Sequence, residues 1–269
     1  VWKGDLWIQR KDQSQFEAAL TVTEVRNVEG DTVGAVSVLR DVSQEKELQR
    51  QRDRFIASAS HELRTPLTNF KTRLYLIKAQ PTKAVQHLTV LNEVADTMVD
   101  LVGNLLDVSR FERGVIPLHR RRTLLQELIA NVVEVQQAES ESKGIELVTD
   151  LPPEDIYASV DPARIQQVVT NLIANAINYT PEDGTITVKL EQVDQRVLLH
   201  VSDTGIGIEP DQVAHIFEPF FRANEEAAEG TGLGLTIARE IVQLHEGDIS
   251  VISEQGSGST FTVKLNLVD

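Results

Sequence analysis

Cysteine is missing from all 269 residues, which excludes a disulfide framework and thiolate metal sites and fits a reducing, cytoplasmic setting. No apolar run is long enough to span a bilayer and no signal segment is visible. No membrane segment is therefore expected in this chain, while tethering of a longer protein upstream of Val1 stays open. Positive charge is scarce: 26 Lys and Arg stand against 41 Asp and Glu, a net charge of −15. Phosphate backbones are bound by surplus cations, so nucleic acid is not the expected main partner. A nucleotide is not excluded, because a divalent cation and a few local amide or cationic donors can hold a triphosphate within an acidic protein.

What is present is the composition of a folded chain, 41 % hydrophobic and 25 % charged, long enough for two or three domains with cores of their own. Residues 1–42 read as short alternating strands. Phe16, Ala18, Leu20 and Val22 share one face, Val33, Ala35, Val36 and Val38 form another run, and Asn27 to Gly30 is a hairpin turn. Three strands make an incomplete sheet, so Val1 is expected to lie inside a larger domain. After Asp41, placed to cap a helix, the polar stretch to Phe55 predicts a helical linker, residues 43–55.

Ile56, Leu63, Phe70 and Ile77 then recur every seven residues, with Ala59, Leu67 and Leu74 on the same face. Gln80-Pro81-Thr82 breaks that helix, and a second stripe runs from Val85 to Leu105. Two such helices form a hairpin over residues 56–115, and pairing two hairpins as a four-helix bundle in a homodimer buries the stripe. A hairpin packed only on its own domain is the alternative. Residues 118–269 mix helices with alternating strands and predict an α/β sandwich with helices on one face. The expected whole is multidomain: a partial β-rich segment, a dimerising helical hairpin and an α/β sandwich.

Two sets of residues carry chemistry. His61 lies five positions after Ile56, roughly 140° round the helix and away from the seam. An exposed neutral imidazole can attack a phosphoryl group, and the adjacent Glu62 can hold the other ring nitrogen and take its proton. A solvated surface histidine is the bland reading. His87, His119, His200, His215 and His245 lack such a setting and read as structural or surface groups. Further on, Asn171, Asn175 and Asn178 share one face of a helix whose other face is apolar. Carboxamides there can hold a magnesium ion and donate to phosphates, where the alternative is a polar face in solvent. Asp203-Thr-Gly205-Ile-Gly207 ends a strand, and Gly230-Thr231-Gly232-Leu233-Gly234-Leu235 opens a helix. A carboxylate at a strand end can read an exocyclic amine, glycines let backbone approach a flat base, and amides at a helix start form an anion site.

The string Ser-His-Glu-Leu-Arg-Thr-Pro-Leu at residues 60–67 resembles the H-box of sensor histidine kinases, and the later residues resemble the N, G1, F and G2 boxes of the GHKL ATPase fold. The resemblance covers roughly residues 53–268. It implies ATP and Mg2+ as cofactors, autophosphorylation of His61, Glu62 as base, and Thr65 as the residue orienting water when the enzyme dephosphorylates its partner. It also implies a response regulator receiver domain as that partner. Asn175, assisted by Asn171, would hold the metal, and Asp203 would bind adenine. Asn178, Tyr179, Gly205, Gly207, Arg222, Gly230, Thr231, Gly232, Leu233, Gly234 and Leu235 would complete the ATP site, with residues 222–229 as a lid. The family usually has Lys or Arg before the N-box aromatic, where this chain has Asn178. Residues 1–42 resemble the carboxy-terminal half of a PAS sensor domain, with a plain β-rich linker as the alternative. A chaperone-type or mismatch-type GHKL ATPase, and a scaffold that binds nucleotide without phosphorylation, are the rival classes.

Overall fold

The structure is a computed structural model that describes residues 1–112, 117–223 and 231–267. It falls into two compact units, residues 1–61 and 62–269. In the first, β1 (Trp2–Gln9), β2 (Gln15–Arg26) and β3 (Thr32–Asp41) form an antiparallel sheet in the order β1-β2-β3. Asn27 closes the predicted turn by accepting the amides of Glu29 and Asp31 on its Oδ1, and Gly30 takes the positive φ that such a turn requires. Asp41 accepts the Ser43 amide at the start of α1 (Ser43–Ala79), and Arg50 of that helix is paired with the buried Glu17 of β2. Linker and stalk are thus one uninterrupted helix, with no break near residue 55.

A single 3-10 turn over Pro81–Lys83 leads into α2 (Ala84–Glu112), completing the expected hairpin. Arg73 Nη1 lies 3.4 Å from His87 Nδ1 across it. No residue of α1 is buried within the single chain. Ile56 is 50 % exposed and Leu67 and Leu74 are 44 % exposed, so much of the apolar seam meets no cover here.

Beyond the stalk, β5 (Glu146–Asp150), β7 (Thr185–Val193), β8 (Arg196–Asp203), β10 (Gly258–Asn266) and β9 (Asp248–Glu254) form a sheet in that spatial order. Only β5 and β7 run parallel. Alternate residues Ile186, Val188, Leu190, Val197, Leu199, Val201, Phe261, Val263 and Leu265 are buried. Three helices pack on the sheet: α3 (Leu125–Ser142), α4 (Pro162–Tyr179) and α5 (Gly234–Leu244). A ribbon of β4 (Arg121–Leu124) and β6 (Tyr157–Val160) joins the base of α3 to the start of α4 and was not anticipated.

The start of α4 is fixed as its sequence predicts, with Pro162 in the first turn and Asp161 as cap, Oδ1 accepting the Arg164 amide. Asp161 Oδ2 accepts the His119 amide, while its own amide donates to His245 Nε2. His245 Nδ1 donates to the Ile241 carbonyl, so this buried imidazole is a neutral structural group. From there Ile165, Val168, Val169, Leu172, Ile173, Ala176 and Ile177 are buried on one face. The opposite face is left to the asparagines.

Candidate nucleotide site and phosphoacceptor helix

A cavity of about 390 Å3 opens above the asparagine face of α4. Asn171, Asn175, Asn178 and Tyr179 line it from α4, Asp203 from the end of β8, Gly207 from the loop after it, and Arg222, Thr231, Gly232, Gly234 and Leu235 from the segments around α5. Eleven residues proposed from sequence therefore share one wall. Gly205 and Leu233 do not line it. Gly205 donates its amide to Asp203 Oδ1, and Leu233 is wholly buried beneath the loop. Gly230 and most of the expected lid, residues 224–229, lie outside the described residues.

Asp203 is buried, and its Oδ1 accepts the amides of Gly205 at 2.9 Å and Ser259 at 3.2 Å. Burial raises its pKa above the ordinary carboxylate value, and the two amides only partly offset that. Asn171 Nδ2 donates to the Gly234 carbonyl at 3.0 Å, tying the first residue of α5 to the N face and leaving that bond on the amide side of the carboxamide. Among the described residues no side chain caps α5, whose first residues Gly234 and Leu235 line the cavity.

The glycines have a nearer cause than room for a base. A Cβ at Gly205 would sit 2.3 Å from the Tyr179 carbonyl oxygen, and one at Gly207 would sit 2.0 Å from that of Glu254. They let β8, α4 and the β9–β10 turn touch backbone to backbone. Gly232, at φ +68°, does the same against Phe220, whose amide donates to the Gly232 carbonyl. Phe217 packs edge-on to Phe261 and its carbonyl accepts the Thr236 hydroxyl, so the Phe217–Phe221 segment is pinned to α5.

Some wall residues were missed by sequence reasoning. Thr97, Asp100 and Asn104 come from α2 in the stalk, and Ser259 and Phe261 from β10. The α2 residues recur every three to four positions as polar groups, which was the available signal. Lys143, just beyond α3, donates from Nζ to Asn178 Oδ1 at 3.0 Å and is also paired with Glu139. A cation thus stands behind the residue that departs from the family pattern.

On α1, His61 is exposed, Glu62 half-buried and Thr65 exposed. The helix continues through Pro66, which has no amide to give to the helical ladder. No group of three or more His, Cys, Asp or Glu side chains suited to a metal occurs among the described residues. A divalent ion here would rest on carboxamides, on waters and on the ligand's own oxygens, of which phosphate oxygens are ordinary magnesium ligands.

An uncapped helix start, an asparagine face and a buried strand-end carboxylate around one cavity, in a chain with an exposed histidine on a helical hairpin, define a nucleotide-dependent phosphotransfer class. The chain belongs to the histidine kinases. Residues 51–114 match the model of the His Kinase A (phospho-acceptor) domain, and residues 160–269 match that of the histidine kinase-, DNA gyrase B- and HSP90-like ATPases.

Among individual proteins, it is 33 % identical over 269 residues to the sensor histidine kinase WalK of Bacillus subtilis, spanning 97 % of this chain and 44 % of that one. The histidine kinase AdeS of Acinetobacter baumannii superposes with a TM-score of 0.65 at 26 % identity, over 78 % of this chain and 98 % of AdeS. The histidine kinase ThkA, solved in complex with the response regulator protein TrrA, shares the fold with a TM-score of 0.61 at 22 % identity, over 98 % of this chain and 79 % of that one. The chain spans less than half the length of the curated relative WalK.

Proposed function

We propose that the chain binds ATP with magnesium in the cavity above α4 and transfers the γ-phosphoryl group to His61. The observation that carries this reading is the convergence of the three asparagines, Asp203 and the uncapped start of α5 on one cavity of nucleotide size. Asp203 accepts the adenine amine, and the first amides of α5 meet the phosphates. Asn175, assisted by Asn171, would offer its carboxamide oxygen to the ion, which would supply positive charge to offset the phosphates. Lys143, through Asn178, adds positive charge at the rim where the chain lacks a basic residue of its own helix.

In the transfer, His61 Nε2 forms the bond to the γ-phosphorus while the bond to the bridging β–γ oxygen breaks and ADP departs. Glu62 receives the proton released from the imidazole, and Thr65 orients water when the phosphoryl group is later removed from the partner. The chain acts as a homodimer through the uncovered seam of α1, whose exposed Ile56, Leu67 and Leu74 support the pairing. A response regulator receiver domain accepts the phosphoryl group on an aspartate. Support for that partner is the TrrA complex of ThkA. Residues 1–42 serve as the end of a PAS-like sensor domain that biases the stalk through α1. The domain scheme is residues 1–42 sensor, 43–55 linker, 56–115 phosphoacceptor and 118–269 ATPase.

Incubation with γ-labelled ATP and magnesium tests this. The expected result is acid-labile, base-stable label on the protein that vanishes in His61→Gln. Hydrolysis of ATP without protein label would indicate an ATPase of the chaperone or mismatch type, and binding alone a scaffold.

A further inference from the structure

Arg239 of α5 stands one turn beyond Leu235, a wall residue of the nucleotide cavity, and lays its guanidinium over the ring of Phe217, with Cζ 5.4 Å from the ring centroid. Its Nε is buried and has no hydrogen-bond partner among the described residues. A buried donor without an acceptor costs stability, and a Met in the same place would cover the ring at no such cost. Packing alone therefore gives no reason for a nitrogen at this point.

Phe217 belongs to a segment held at several points. Its carbonyl accepts the Thr236 hydroxyl at 3.0 Å, and its ring stands edge-on to Phe261, another wall residue. Three residues on, Phe220 donates its amide to the Gly232 carbonyl at 3.0 Å and takes φ +64°, a left-handed conformation that is costly for an aromatic side chain. Gly232 meets it at φ +68°, with no room for a Cβ. Ile216 and Phe221, at the two ends of this stretch, line the cavity. A piece of the wall is thus kept in an unfavourable backbone conformation, packed on a guanidinium whose Nε lacks an acceptor. One change relieves both costs: a shift of the segment that lets Phe220 leave the left-handed region and brings a backbone carbonyl to Nε.

We propose that Arg239 is a positioning residue of the nucleotide site, whose Nε donates to a carbonyl of residues 216–221 in the ATP-bound form and so favours that form. The inference rests on the reading of the cavity as an ATP site. A ligand moves the segment only by as much as it prefers the shifted wall, and the new bond adds to that preference. Arg239 does not itself line the cavity and acts through Phe217 and its neighbours.

The test uses the full chain with Arg239→Met and Arg239→Lys. Met covers the ring and removes the donor, whereas Lys keeps a cation for the ring but has a methylene where Nε stands. Three quantities are read: melting temperature without nucleotide, ATP affinity by calorimetry, and amide hydrogen exchange over residues 216–221 with and without ATP. Both variants should bind ATP about three- to tenfold more weakly, the size of one hydrogen bond. Arg239→Met should nonetheless melt no lower than the wild type. ATP should protect residues 216–221 in the wild type and protect them less in either variant. Wild-type affinity in Arg239→Lys would overturn the proposal, as would two variants whose melting temperature and affinity fall together, the mark of a packing residue. If Arg239→Met alone melts early, Arg239→Lys decides by its affinity and exchange. A wild type that binds no ATP refutes the reading of the cavity and this proposal with it, whereas a wild type that binds ATP no better than its variants refutes the proposal alone.

Discussion

Helices α1 and α4 bury their apolar faces in opposite ways. α4 covers seven residues within its own chain, from Ile165 to Ile177, whereas the much longer α1 buries none. The same seven-residue logic of apolar spacing operates in both. In α4 the sheet, α3 and α5 complete the burial, and α1 has no such cover among the described residues. A helix that finishes its packing at home can devote its other face to a ligand. One that does not fits the homodimer proposed above, and its outward residue His61 is exposed.

Four variants would break or sharpen this contrast. Leu172→Ala, in the core of α4, should cost about 2–5 kcal/mol of ATPase-domain stability, read by denaturant melts. The seam pair Leu67→Glu with Leu74→Glu should instead leave that melt in place while weakening dimerisation roughly a hundredfold, followed by analytical ultracentrifugation. An unchanged dimer would assign the seam to some other cover. Asp203→Asn separates stability from function within the ATPase domain. Because burial raises the folded pKa of Asp203, its ionised form costs stability once the pH rises past the unfolded value of 3.8 and through the folded one. The Asn variant should therefore melt no lower at neutral pH, yet lose about ten- to a hundredfold in ATP affinity by calorimetry. The smallest effect belongs to Lys143→Met, about two- to threefold in ATP affinity with little change for adenosine.

Acid should strike the ATPase domain at the joint of α4 and α5. Burial holds the His245 pKa below its ordinary 6.5, so the unfolded chain binds the proton more readily. Its contribution is present above pH 6.5 and is lost as the pH falls below that value toward the folded pKa. Melting temperature measured between pH 8 and 5.5 should fall in the wild type and fall less steeply in His245→Gln, which starts lower.

Much of this was legible in the residues. Strict alternation gave β7 and β10, and the Asp161-Pro162 pair gave the start of α4, because local chemistry and packing agree there. The β4–β6 ribbon was not legible: each strand has four residues, and they pair across a separation of more than thirty positions with too little length for a period to register. Thr97, Asp100 and Asn104 were hidden for another reason. Their helix was read for its apolar stripe, and nothing in α2 alone says which domain its polar face meets. The glycines were found with a different purpose, since Gly205 and Gly207 make room for carbonyls of Tyr179 and Glu254.

The central claim is that the two regions are halves of one reaction, the cavity supplying and α1 receiving. Peptide mapping by mass spectrometry at alkaline pH, after incubation with ATP and magnesium, tests it most directly. The account predicts one phosphoryl group per acceptor on the peptide bearing His61, absent when Asn175 is replaced by Ala. Phosphate on any other residue, or on His61 of the Asn175→Ala protein at an undiminished level, would contradict it.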